Sequence, residues 1–126
     1  MRHIRWLAIV ALLCAYPAVA LAHKAPSKTQ KTALTKAFDG YVGKSVAAKC
    51  LRYEVSTANR TYALVAFAVH LPHSCVTEAS DGVVIFHLKS GRWKFVTAGS
   101  SFIDDGGKCD VPHVPRNVVK DFKLCG

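Results

Sequence analysis

An α+β fold is what this sequence predicts: an N-terminal helix packed on a four-stranded antiparallel sheet, with a short C-terminal helix and two disulfides. Three patterns carry that expectation. Leu34, Phe38 and Tyr41 recur at i, i+4 and i+7, one apolar stripe of a helix. Alternation with a period of two runs through residues 49–56 and 83–98, the spacing of strands with one face covered. Cys50, Cys75, Cys109 and Cys125 are four in number once Cys14 is assigned to a leader, and an even count in an exported chain reads as a disulfide framework.

The leader itself is residues 1–22. Arg2, His3 and Arg5 give a positive start, residues 6–19 run apolar except at Cys14, Tyr16 and Pro17, and Ala20-Leu21-Ala22 is the small-x-small pattern that signal peptidase reads. Cleavage is expected between Ala22 and His23. The apolar run is shorter than the roughly 20 residues of a spanning helix, so no transmembrane anchor is expected in the mature chain. Leu12 and Leu13 stand before Cys14 where a lipoprotein would carry small residues. Residues 23–126 then form one small disulfide-stabilised domain, secreted or periplasmic. A chain of that length buries about 60–70% of its unfolded surface, a modest core that cross-links would supplement.

Each element has its own signals. Residues 23–26 read as a short arm. Ser27 followed by Gln30 is a capping box that opens the helix, and Gly40 and Gly43 are its candidate stops. In residues 49–56, Leu51, Tyr53 and Val55 alternate with Arg52, Glu54 and Ser56, a strand with one wet face. Residues 61–70 are almost continuously apolar, as in a central strand covered on both faces. Ser90-Gly91 is a two-residue turn joining 83–89 to 92–98. That turn sets Lys89 opposite Arg92, Leu88 opposite Trp93, His87 opposite Lys94 and Phe86 opposite Phe95. Phe86, Leu88, Trp93 and Phe95 should then face the core, and His87, Lys89, Arg92 and Lys94 the solvent. Pro115 suits the first turn of a short helix carrying Val118, Val119 and Phe122. Four cysteines allow three pairings. The element order favours Cys50–Cys75, which meet at the end of the first hairpin, and Cys109–Cys125, which bracket the last helix.

Charge narrows the function. The mature chain keeps 15 Lys and Arg against 8 acids, a net charge of +7, and residues 23–52 hold seven of those cations against Asp39 alone. Arg52, His87, Lys89, Arg92 and Lys94 are the candidate binding residues of a basic sheet face. The partner expected is an unidentified anionic macromolecule or surface. The plain alternative is a solvated face that aids solubility. The leading expectation is an exported binding protein without catalysis, docking on an anionic partner or inhibiting an acidic exported enzyme. A basic target such as lysozyme would be repelled. Specific nucleic-acid reading is not expected, because the aromatics look committed to the core rather than free for stacking.

Enzymatic and metal readings find less support. A small exported nuclease or other hydrolase is the alternative, since Glu54, Arg52, His70, His87, Arg92 and Lys94 are the types that phosphoryl chemistry uses, yet no specific spacing is matched. A structural factor of the envelope is a third possibility. No Gly-x-Ser-x-Gly elbow and no phosphate-binding glycine loop occurs. His70 and His73 are separated by Leu71-Pro72, and a metal would need further ligands. No cofactor or metal is expected. Asp104-Asp105-Gly106-Gly107 lacks the alternating oxygens of a calcium loop and reads as a turn.

In element order the chain looks like a cystatin-like or NTF2-like roll, although the Gln-x-Val-x-Gly hairpin of the cystatin inhibitors has no counterpart here. Trp93-x-x-Val96, Gly99-Ser100-Ser101, Cys109, Val111-Pro112 and Leu124-Cys125 resemble the C-terminal half of small exported bacterial proteins of unknown function. That resemblance covers about a third of the mature chain. It implies export and agrees with a Cys109–Cys125 bridge, and it carries no activity with it.

Overall fold

A computed structural model describes residues 23–77 and 79–126; the expected signal peptide lies outside them. Helix α1, Lys28–Val42, begins at the capping box. The Ser27 hydroxyl accepts from the Gln30 amide at 3.2 Å, and the Gln30 side chain accepts from the Ser27 amide at 2.9 Å. Two amides that helix geometry leaves without partners are thereby satisfied, worth about 1 kcal/mol. Gly43, in the left-handed region at φ 76°, closes the helix by donating its amide to the Asp39 carbonyl. Gly40, the other candidate stop, lies inside the helix.

The four expected strands are present as β2 (Leu51–Ser56), β3 (Tyr62–Phe67), β4 (Val83–Lys89) and β5 (Arg92–Gly99), all antiparallel and in chain order. A two-residue strand β1, His23–Lys24, joins the outer side of β2, with His23 opposite Ser56 and Lys24 opposite Val55. The arm expected at residues 23–26 is therefore partly sheet, because the edge of β2 offers backbone groups that would otherwise lack partners.

Alternation sends side chains to two covered faces. On one, Leu34 and Phe38 of α1 pack over Tyr53, Val55, Val65, Val84 and Phe86. On the other, Tyr62, Leu64, Ala66 and Ile85 are covered by Val118 and Phe122 from helix α2, Arg116–Asp121, and the turn after it. Residues 62–66 are buried without a break, as expected of a strand between two layers. Among the described residues no helix is long and apolar enough to cross a membrane.

The disulfides are Cys50–Cys75 and Cys109–Cys125. They close loops of 25 and 16 residues, each worth about 3 kcal/mol in the chain-entropy account. The 104–107 turn is held by Asp104, whose Oδ1 accepts from the Gly106 and Lys108 amides at 2.9 and 2.8 Å. Asp121, at the end of α2, reaches back across the sheet to the β2–β3 turn. Its Oδ2 accepts from the Ser56 hydroxyl at 2.7 Å and the Thr57 amide at 2.9 Å, and its Oδ1 from the Thr57 hydroxyl at 3.1 Å.

Phe95 departs from expectation. It faces α1 as the register requires, yet it is 51% exposed. The ladder between β4 and β5 shifts at Ile85/Phe86, where Thr97 opposes Ile85 and Phe95 opposes Phe86, so Val96 is an extra residue. Val96 lies on the α2 side, as alternation from Lys94 requires, and packs against the cluster that contains Ile85 and Val118. Phe95 is left on the outermost strand, stacked on the exposed Tyr41 ring at 4.8 Å between centroids and 8° between planes.

Candidate basic docking surface

The β4–β5 hairpin owes its geometry to two residues. Ser90 and Gly91 both have positive φ, 50° and 74°, the conformation of a two-residue turn whose twist matches its strands. With the turn fixed, the pairing follows: Lys89 opposite Arg92, Leu88 opposite Trp93, His87 opposite Lys94. Lys89, Arg92 and Lys94 are exposed, and none makes an ion pair among the described residues. Like charges directly opposed in a sheet cost stability, so this arrangement does not hold the fold together.

His87 is the floor of the patch. Its ring stacks on Tyr62 at 4.1 Å, 7° from parallel. Burial against that ring, with Lys89 nearby, holds its pKa below the ordinary imidazole value. A neutral imidazole bordered by Lys89 and Lys94 accepts a proton more readily once an anion arrives. The β2–β3 turn lies alongside, since the Leu88 amide donates to the Thr61 carbonyl at 2.7 Å. Exposed Arg60 therefore stands at the same end of the sheet, a cation that its isolated position in the sequence did not assign to the patch.

Arg52 is not part of this cluster. Its strand partner is Ala66, which pairs in turn with Val83. Four residue steps along β4 separate that rung from His87, about 13 Å at strand rise. Arg52 is also paired with Glu54 at 3.2 Å. The structure thus brings together four of the five candidate residues, His87, Lys89, Arg92 and Lys94, and places the fifth at the far end.

Comparison with protein-family models, with curated proteins and with solved structures finds no match for this chain. The candidate nuclease residues are dispersed: Glu54 is engaged by Arg52, and strand spacing sets its Cα about 12 Å from that of His87. His70 and His73 are exposed in the loop after β3. Among the described residues no three His, Cys, Asp or Glu side chains gather as metal ligands would. A 220 Å³ crevice between α1 and residues 80–83 has Asp81 as its one charged side chain among the described residues.

A second basic surface has no counterpart in the sequence pattern. Lys108, Arg116, Lys120 and Lys123 border a groove of 790 Å³ beside the Cys109–Cys125 bridge, with Asp110 as its acid. These cations are dispersed over the last 19 residues. The fold of the tail collects them, and no local spacing announces it.

Proposed function

We propose that the mature chain is an exported, non-catalytic binding protein that docks on an anionic partner outside the cytoplasm through the face formed by His87, Lys89, Arg92 and Lys94. The observation that carries this reading is the opposed pairing of Lys89 with Arg92 and His87 with Lys94, on an exposed surface where no acid among the described residues is in ion-pair contact with these cations. A merely solubilising surface mixes both signs of charge, whereas a cluster of one sign concentrates potential in one direction and steers an opposite charge towards it. The two disulfides agree with folding in an oxidising compartment.

The test separates face from net charge. Arg92→Glu/Lys94→Glu and Lys28→Glu/Lys49→Glu alter net charge equally, and all four positions are exposed. Retention on immobilised polyglutamate is measured against salt for both. The hairpin variant should elute at a much lower salt concentration than the parent, and the other variant should elute close to it. Equal losses would show that total charge alone drives retention, and the reading would be abandoned.

A further inference from the structure

We propose that the anionic partner is a polypeptide, and that an extended segment of it, alternating acidic with apolar residues, adds to the sheet as a sixth strand along β5. This rests on the basic-face reading above and names its partner class.

Strand β5 is the outer member of the sheet, and no backbone bond from another described segment covers it between Arg92 and Phe95. Antiparallel ladders alternate, so every second residue directs its amide and carbonyl away from the partner strand. The Leu88 amide points to Thr61 on the β3 side, which makes Leu88–Trp93 a pair without mutual bonds. Trp93, and Phe95 two residues on, therefore present amide and carbonyl outward.

Side chains on this edge sort by face. Trp93 and Phe95 lie towards α1, where Ala33, Ala37 and Trp93 line a 450 Å³ crevice with Lys36 and Arg92 beside them. The half-exposed Tyr41–Phe95 stack extends the apolar surface. By alternation Lys94 lies on the opposite face, and Arg92, next to the turn, starts from that face while also bordering the crevice. A strand bonded to Trp93 and Phe95 would set alternate side chains into the crevice and against the aromatic stack. The residues between them would meet Lys94 and Arg92. Matching needs apolar groups in the first set and carboxylates in the second, with main-chain bonds supplying affinity as in other strand additions. Cations on an edge also discourage pairing with a second copy, whose own β5 carries the same Arg92 and Lys94.

The probe is an eight-residue peptide in which Glu alternates with Val or Phe. It is compared with a peptide of the same composition whose Glu residues are consecutive, and with the alternating peptide N-methylated at every second amide, in both phases. Trp93 is the one Trp outside the leader, so its fluorescence reports the edge directly. The expected result is binding by the alternating peptide, at least tenfold weaker binding by the consecutive one, and loss of binding for one methylation phase. Amide exchange should slow at Trp93 and Phe95. Equal affinity for all peptides, with unchanged exchange at those two amides, would refute strand addition while leaving a basic docking face. Failure of every peptide alongside hairpin-dependent retention on polyglutamate would likewise refute strand addition and leave the docking face standing. Failure of both probes would remove the docking reading as well. Dimerisation through β5 by sedimentation, strengthened in Lys94→Glu, would assign the edge to a second copy instead.

Discussion

Replacing Asp121 by Ala should destabilise the domain by about 3 kcal/mol. Four donors converge on its carboxylate, the Ser56 hydroxyl, the Thr57 amide and hydroxyl and the Ala58 amide, and the first of them is fully buried. Ser56 also accepts from the Asn59 amide at 3.2 Å, so its hydroxyl is a relay between the β2–β3 turn and α2. Hydrogen bonds to a charged group are worth about 1.5–3 kcal/mol, and a buried donor left without a partner costs about 1–3 kcal/mol. These bonds do not add in full, because exposed Thr57 can turn to water. For a domain of this size the loss corresponds to a fall in Tm of roughly 10–20 °C, measurable by circular dichroism with reduction excluded. The pH profile supplies a second reading. Burial raises the pKa of Asp121, but the bonds from Ser56, Thr57 and the Ala58 amide outweigh it and hold the carboxyl below its ordinary value. A depressed folded pKa gives stability that is complete above the unfolded value, about 3.9, and is lost as pH falls through the folded value. Asp121→Asn should therefore flatten the acid limb below about pH 4. A cost below about 0.5 kcal/mol for Asp121→Ala, or strict additivity with Ser56→Ala, would refute the clamp.

Two further outcomes follow from particular geometry. Gly82→Ala should cost at least about 2 kcal/mol by thermal melt, because φ is 106° and a Cβ would stand 2.8 Å from the Gly99 carbonyl oxygen, a backbone atom; Gly91→Ala, at φ 74° with open space around it, should cost less. His87 should link docking to pH: with its pKa depressed in the free protein, an acidic partner raises it, so polyglutamate binding tightens from about pH 7.5 to about 5.5, the range in which imidazoles titrate, and His87→Gln abolishes that increment. In the unbound protein the sign is opposite, since the unfolded chain takes up its proton first and stability falls as pH drops through about 6.5.

Local chemistry was legible in the sequence, and long-range chemistry was not. The Ser27–Gln30 box, the Ser90-Gly91 turn and the pairing it dictates all rest on residues within a few positions of each other, where backbone geometry leaves few choices. The disulfides were readable because strand order places cysteine pairs together. Phe95 has the partner and the face that alternation predicts, and its exposure comes from lying on the outermost strand beside the half-exposed Tyr41 ring, a matter of sheet order that no local pattern encodes. Arg52 shares a sheet face with Lys94 by alternation, but position along the strand depends on register across three ladders. Asp121 and Ser56 are 65 residues apart, with no pattern linking them.

The proposed docking face and the stability of the fold are connected through this division. The opposed cations Lys89 and Arg92 in the hairpin work against folding by about 0.2–1 kcal/mol, and Ser90 holds a positive φ without being glycine. A domain of about 100 residues has only some 5–15 kcal/mol of net stability. Two disulfides at about 3 kcal/mol each and the Asp121 clamp lie elsewhere, at the start of β2, in the tail and at the β2–β3 turn. Stabilisation away from the hairpin is what permits repulsion within it. Offsetting that repulsion with Lys94→Glu, which sets a carboxylate diagonal to Lys89, should therefore raise Tm by a few degrees, about 0.5 kcal/mol, while weakening retention on polyglutamate. A surface selected only for folding would show no such opposition between the two measurements.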